Sequence, residues 1–265
     1  MKIAIIGCGT IGSKLAKAIE EKFKDRAELV ALYDVDKEKA VLLASSLSKP
    51  PPILSPDELI KECDLVIEAA SAKVSGELTR KALLANRDVM VMSVGGLEEG
   101  ILDLANEKHR YIYMPSGAIC GLDGVKSALI GKIFRVTLTT RKPPKAFEGA
   151  PYVVKKKIDL NSINEETILF QGSAREAIRG FPQNINVAVA LSFAGIGLDK
   201  TQVRIVCSPY FTANSHEVEV EGEFGKLTTK TENIPAPQNP RTSYLAVLSA
   251  IATLKGILNY VKIGT

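Results

Sequence analysis

The chain has 265 residues, enough for one large domain or two modest ones, and its 46% hydrophobic and 24% charged content excludes disordered and fibrous classes. A chain of this length buries most of the surface its unfolded form exposes, so neither a disulfide nor a metal is needed to hold a core. The net charge of +4 is mild and spread along the sequence, with no Lys/Arg cluster interleaved with aromatics, which argues against a nucleic-acid partner.

Residues 2–6 form a short β-branched apolar run, the pattern of a buried parallel strand. Gly7 to Gly12 interrupts it. A helix is predicted from Ile11 to about Phe23, with Ile11, Leu15, Ala16 and Ile19 on one face. Residues 27–33 read as a second strand ending at Asp34, which completes a β-α-β unit. A helix follows over 36–47 and is stopped by Lys49-Pro50-Pro51-Pro52. Ser55-Pro56-Asp57-Glu58 opens another, with Pro in the first turn and acids at the positive helix end. Strands at 64–69, 88–94 and 110–113 alternate with helices at 75–85 and 98–108, which implies a Rossmann-type, doubly wound parallel sheet. Beyond Met114 the pattern changes. Strands are predicted at 131–140, 167–170, 202–207 and 216–222, with helices at 173–178 and 185–193, an α+β pattern. A long apolar helix over 243–261 closes the chain. The expected organisation is an α/β dinucleotide-binding domain over 1–113, completed by 240–265, and an α+β substrate domain over 114–239.

Cysteines 8, 63, 120 and 207 form no C-x-x-C pair and no zinc spacing, so free thiols and no metal are expected. No apolar run reaches the roughly 18–20 residues a bilayer span needs, and the N-terminus opens directly into a strand pattern rather than a secretory leader. A cytoplasmic chain with no membrane partner is expected.

Gly7-Cys8-Gly9-Thr10-Ile11-Gly12 matches G-x-G-x-x-G. Gly7 permits the turn out of the strand, Gly9 keeps side chains away from a pyrophosphate, and Gly12 lets the helix pack closely on the sheet. The helix N-terminus, with Thr10 and Ile11, offers free N–H groups to the phosphates. Asp34 ends the second strand at about the 20-residue separation expected of the acid that binds the adenosine ribose. It would repel a 2′-phosphate, so NAD is the expected cofactor and NADP the alternative. FAD and S-adenosylmethionine are other ligands of such a loop. Ala69 and Ala70, in the run Ala69-Ala70-Ser71-Ala72, and Gly95-Gly96 follow two further strands, where small residues leave room for ribose and nicotinamide or simply serve turns.

The chain holds two histidines. His109 lies in a charged helix end and reads as a surface residue. His216 follows Thr212-Ala213-Asn214-Ser215 at a strand entrance, where it is either a satisfied structural residue or a base suited to proton transfer near neutrality.

Five segments resemble the L-aspartate dehydrogenase family. They are Pro-Ser-Gly-Ala-Ile-Cys-Gly-Leu-Asp at 115–123, Thr-Thr-Arg-Lys-Pro-Pro at 139–144, Phe-Pro-Gln-Asn-Ile-Asn-Val-Ala at 181–188, Asn-Ser-His-Glu at 214–217 and Asn-Pro-Arg-Thr-Ser at 239–243. One departure is Cys120, where the family usually has Gly. The resemblance implies oxidation of L-aspartate to iminoaspartate with NAD(P), followed by hydrolysis to oxaloacetate and ammonia or diversion into NAD synthesis. It implies that His216 is the active-site residue and that Ala118 and Asn186 contact the cofactor. It also implies an open-sheet second domain, as in dihydrodipicolinate reductase relatives, and a homodimer. Two substrate carboxylates need cationic or hydroxyl partners. Arg141, Lys142 and Arg241 are candidates, with Asn214, Thr242 and Ser243, though each cation is equally a solvated surface group. Asn186 is equally a helix N-cap. The competing readings are a reductase of the dihydrodipicolinate or homoserine dehydrogenase type and a non-catalytic NAD sensor. His216 is followed by Glu217, not by the reductase's second histidine.

Overall fold

The computed structural model describes residues 1–182, 185–237 and 239–264. The chain divides into two compact units. The first comprises Met1–Pro115 with Val247–Lys262, and the second Ser116–Ala246 with the residues from Ile263 onward.

The first unit runs β1 (Lys2–Ile6), α1 (Thr10–Lys22), β2 (Glu28–Tyr33), α2 (Lys37–Ser45), α3 (Pro56–Glu62), β3 (Leu65–Glu68), α4 (Ala72–Leu84), β4 (Asp88–Val91), α5 (Gly100–Lys108) and β5 (Ile112–Tyr113). All strand pairs are parallel, in the order β2-β1-β3-β4-β5. Outside β2, Ile53 makes a single parallel bridge to Leu32, held by Leu32 N–H on the Pro52 carbonyl and Leu54 N–H on that of Leu32. Three prolines in 50–52 remove the donors a full strand needs, so the outer strand of a Rossmann sheet is reduced here to one bridge. The order reverses between β1 and β3, which places the ligand crevice of such a sheet at their carboxyl ends.

The apolar stripe of α1 packs as its spacing predicts, with Leu15, Ala16 and Ile19 in one core with Ile3 and Ile5 of β1. Each of these leucine and isoleucine side chains contributes about 1.5–3 kcal/mol by leaving water. Ala250 and Leu254, from the far end of the chain, belong to the same core. Most boundaries in this unit fall within two residues of expectation, and two shift by three. α4 starts at Ala72, three residues early, and β4 stops at Val91 before a 3-10 turn over Val94–Gly96. The cause is close packing: a Cβ on Gly96 would lie 1.9 Å from the Ala72 carbonyl oxygen and 2.4 Å from Ser75 Oγ. The missing side chain of Gly96 therefore admits α4, not a ligand.

The second unit runs α6 (Leu122–Ala128), β6 (Ile133–Lys142), α7 (Pro151–Lys156), β7 (Thr167–Ser173), α8 (Ala174–Gly180), α9 (Asn186–Ala194), β8 (Gln202–Cys207), β9 (Asn214–Gly222), β10 (Gly225–Asn233), β11 (Pro235–Ala236), β12 (Asn239–Ser243) and α10 (Tyr244–Leu258), most of α10 belonging to the first unit. Its sheet has the order β10-β9-β6-β8-β7, with β6 and β8 parallel and the other pairs antiparallel. β10 carries the polar run Lys-Leu-Thr-Thr-Lys-Thr-Glu-Asn at 226–233 and forms through its full register with β9, which explains why hydrophobic alternation alone did not predict it. Strand alternation sorts the sheet into two faces. Val136, Leu138, Val218, Val220, Val203 and Ile205 are buried on one face. The helices lie over it, since a Cβ on Gly195 at the end of α9 would meet Val125 of α6 at 3.2 Å and Val136 of β6 at 3.8 Å. The opposite face carries Arg135, Arg141, Arg204, Glu217, Glu219 and Glu221.

Candidate active site

In the first unit the glycine loop leaves β1 at Gly7, whose φ of +103° favours glycine. A Cβ there would lie 2.4 Å from the Ala69 carbonyl group, and one on Gly12 would lie 1.9 Å from the Gly7 oxygen, so both positions are closed by the protein's own backbone. Gly9 differs: nothing lies within 4 Å of the Cβ it lacks. Its bare backbone has no packing reason and fits a cradle for a ligand. Gly9 is also the N-cap of α1, with no side-chain cap, and the first turn carries no acid. The positive helix end is thus left for an anion, as a diphosphate requires.

Asp34 stands beside this loop. Its Oδ2 accepts the Cys8 N–H at 2.6 Å and its Oδ1 the Asp36 N–H at 2.9 Å, while Gly7 N–H donates to the Tyr33 carbonyl at 2.7 Å. Each carboxylate oxygen retains lone pairs for a ribose hydroxyl. Burial, then the Asp34 charge, pushes the Cys8 thiol up to about 12, so it stays protonated and inert. Ala69 is half-buried and Ala70 exposed at the end of β3.

In the second unit His216 is the third residue of β9, not its first, and only 4% exposed. Thr140 lies opposite it on β6, and Thr140 Oγ1 is 3.0 Å from His216 Nδ1. Thr231 lies opposite it on β10. Lys142, two residues beyond Thr140, shares that face. Burial, then the Lys142 charge, holds the imidazole down at about 3, so His216 is a neutral ring at physiological pH. Burial alone brings Lys142 down to about 8.

Ala118 is buried over the same face. Its carbonyl accepts from Thr231 Oγ1 at 2.7 Å and from Asn233 Nδ2 at 3.1 Å. The neighbouring Gly117 lies near Val187 of α9, 3.8 Å from where its Cβ would be, which brings the start of α9 to the Ala118 segment. Ala118, Thr140, Lys142, His216 and the Asn186 end of α9 therefore belong to one side of one sheet. Asn214, half-buried, shares the His216 face by alternation and pairs in register with Asn233. Thr242 and Ser243 are half-buried on β12, which pairs with β11 just past Asn233.

One expectation is corrected, for Arg141, and two alternatives left open by the sequence are narrowed. Arg141 lies on the opposite face from His216 and donates to Glu217 at 2.9 Å, so its guanidinium serves the polar face rather than a substrate beside the histidine. Asn186 is the first helical residue of α9, and Ile185 is the N-cap. Gly96 serves α4, as described above. Gln183, Asn184 and the side chain of Arg241 lie outside the described residues. His109 is exposed at the C-cap of α5, as expected. Sequence reasoning missed Thr140, Asn233 and Glu68. For the last, a lone acid ending the apolar run Leu65-Val66-Ile67 was the available signal.

Residues 7–115 match the family model described as "Homoserine dehydrogenase, NAD binding domain", and residues 123–257 match "Aspartate dehydrogenase, C-terminal". The L-aspartate dehydrogenases of Methanococcoides burtonii and Methanosarcina mazei are 49% and 50% identical to the chain, each over the full length of both proteins. The crystal structure of aspartate dehydrogenase from Thermotoga maritima superposes with a TM-score of 0.76 at 27% identity, covering 100% of this chain and 99% of that one. The first unit is thus an NAD-binding domain, and the chain as a whole belongs to the aspartate dehydrogenase family.

Proposed function

We propose that the chain catalyses the NAD-dependent oxidative deamination of L-aspartate. The observation that carries this reading is the buried, neutral His216, fixed by Thr140 and flanked by Lys142 on the face where Ala118 and the start of α9 gather. The homoserine dehydrogenase likeness covers only the cofactor unit, whereas the unit with His216 matches aspartate dehydrogenase, which favours aspartate over the rival reductases.

A bound nicotinamide dinucleotide supplies the hydride acceptor. The backbone N–H groups of Gly9, Thr10, Ile11 and Gly12, in the turn that Gly7 opens, would hold its diphosphate, and Asp34 would hold the adenosine ribose. Ala69 and Ala70 leave room at the carboxyl edge. Ala118 and Asn186 are assigned to the nicotinamide end. L-Aspartate loses its Cα hydrogen as hydride and a proton from nitrogen, giving iminoaspartate. Water then adds to the imine carbon and ammonia leaves, giving oxaloacetate. His216, a neutral ring with Thr140 on Nδ1, takes the proton from the amine or from the attacking water once the substrate is in place, because the negative carboxylates of bound L-aspartate oppose the burial and the Lys142 charge that hold the free ring low. Lys142 faces a substrate carboxylate, whose negative charge favours the ammonium form. Asn214, Thr242 and Ser243 supply hydrogen bonds to the carboxylates. The imine is a precursor for pyridine-ring synthesis, and we place the chain in NAD biosynthesis, as a cytoplasmic homodimer.

The test is the absorbance of reduced nicotinamide with a panel of L-amino acids and both cofactors. L-Aspartate with NAD should give the fastest reduction, since the Asp34 carboxylate repels a 2′-phosphate. Reduction with another amino acid and none with L-aspartate would overturn the assignment.

A further inference from the structure

Glu68 ends β3 with no exposed surface, in register with Ile6 at the end of β1 and Val91 at the end of β4. It stands at the carboxyl edge of the strands that flank the switch point, where ligands of doubly wound sheets bind. The sheet itself does not need the acid. The backbone of β3 is paired on both sides, and the run Leu65-Val66-Ile67 would continue naturally with an apolar residue. A buried carboxylate is kept only where donors satisfy it. Here Oε1 accepts the Ala70 N–H at 2.8 Å and Oε2 the Ser93 N–H at 2.9 Å. One side chain thus ties together the turns that leave β3 and β4.

Both turns are joined to further structure. Ala69 and Ala70 are in backbone contact with Gly7, since a Cβ on Gly7 would lie 2.4–2.6 Å from the Ala69 C and O and the Ala70 N. Any slack at Ala70 therefore reaches the glycine loop. On the other side, the Ser93 carbonyl accepts from Ser75 Oγ at 2.8 Å, which fixes that turn to α4. Glycine loop, β3 turn, Glu68, β4 turn and α4 form one connected frame. Burial pushes the Glu68 carboxyl above the usual range, and the N–H donors on it pull the other way.

We propose that Glu68 is a positioning residue for the dinucleotide: without touching it, this carboxylate sets the turns at Ala69-Ala70 and Ser93, and through Gly7 the phosphate-binding loop, in their ligand-ready places before the cofactor arrives. The proposal rests on NAD binding by the first unit, so calorimetric titration of the unaltered protein with NAD is the control. Absence of heat there would sink the cofactor reading instead.

Glu68→Gln keeps the shape but turns an NH2 group toward one of the two N–H donors. We expect its NAD dissociation constant to rise about tenfold, on the scale of one lost charge-assisted hydrogen bond. The KM for L-aspartate and kcat at saturating NAD should stay within about twofold. A lowered melting temperature with unchanged NAD affinity would make Glu68 merely structural and overturn the proposal, as would equal rises in both KM values. If the variant does not fold, amide exchange in the unaltered protein decides. The Ala70 and Ser93 amides should be protected before NAD is added, and protection appearing only with NAD would contradict a preset frame.

Discussion

Lys142 and His216 share a face of one sheet, and each titrates far from its ordinary range. Burial brings the lysine down to about 8, and burial together with the Lys142 charge brings the histidine down to about 3. Between pH 5 and 8 the ring is therefore an unprotonated base throughout, while the lysine is the group that changes charge near the upper end. The pH dependence of kcat/KM reports groups of the free enzyme and free substrate. If the ammonium of Lys142 binds a substrate carboxylate, kcat/KM for L-aspartate should fall as pH rises through about 8, because a neutral amine cannot pair with the carboxylate. Guanidinium does not titrate in this range. Steady-state kinetics of Lys142→Arg across pH should show that limb removed, even at a lower plateau, and a limb unmoved at about 8 would assign it to another group. Arg141 gives the contrast. One position earlier on the strand, it faces the other way and pairs with Glu217.

At the scale of elements, the glycine loop separates packing from binding. Gly12→Ala places a methyl 1.9 Å from the Gly7 oxygen and must displace backbone, so a loss of about 1–3 kcal/mol or more in chemical denaturation is expected. Gly9→Ala meets nothing within 4 Å, so its melting temperature should stay close to that of the unaltered protein while NAD affinity falls at least tenfold. Equal effects of the two substitutions on stability would remove the reason to read Gly9 as a ligand contact. This loop was legible in the sequence because each glycine answers a local backbone demand at a fixed spacing. The parallel strands were legible too, since residues 3–6 of β1 and 65–67 of β3 are continuous apolar runs buried on both faces. β10 was not, because its Lys and Thr residues form a strand only through pairing with β9. His216 was legible as a candidate, but its setting was not. Thr140 lies 76 residues away in sequence, and only the antiparallel register of β6 with β9 brings the two together. Arg141 was misplaced for the same reason, since which face a strand residue takes depends on partners the sequence does not print.

Across the whole molecule, the chain forms two units, each with its own sheet, and the proposed function gives the dinucleotide to the first and the substrate chemistry to the second. The first is completed by Ala250 and Leu254 from α10, so the cofactor core is full only once α10 packs onto it. Among the described residues, no helix is long and apolar enough to cross a membrane and no metal-ligand cluster occurs. This division makes the two tasks separable by substitution. The most direct measurement is the rate at which His216→Ala forms reduced nicotinamide from L-aspartate, taken beside its NAD dissociation constant and a circular dichroism spectrum. Turnover should fall about 10²–10⁴-fold, the usual worth of a positioned base, with NAD affinity within about twofold and the spectrum unchanged. A folded His216→Ala protein that turns over L-aspartate at the unaltered rate would contradict the role of this histidine and the assignment built on it.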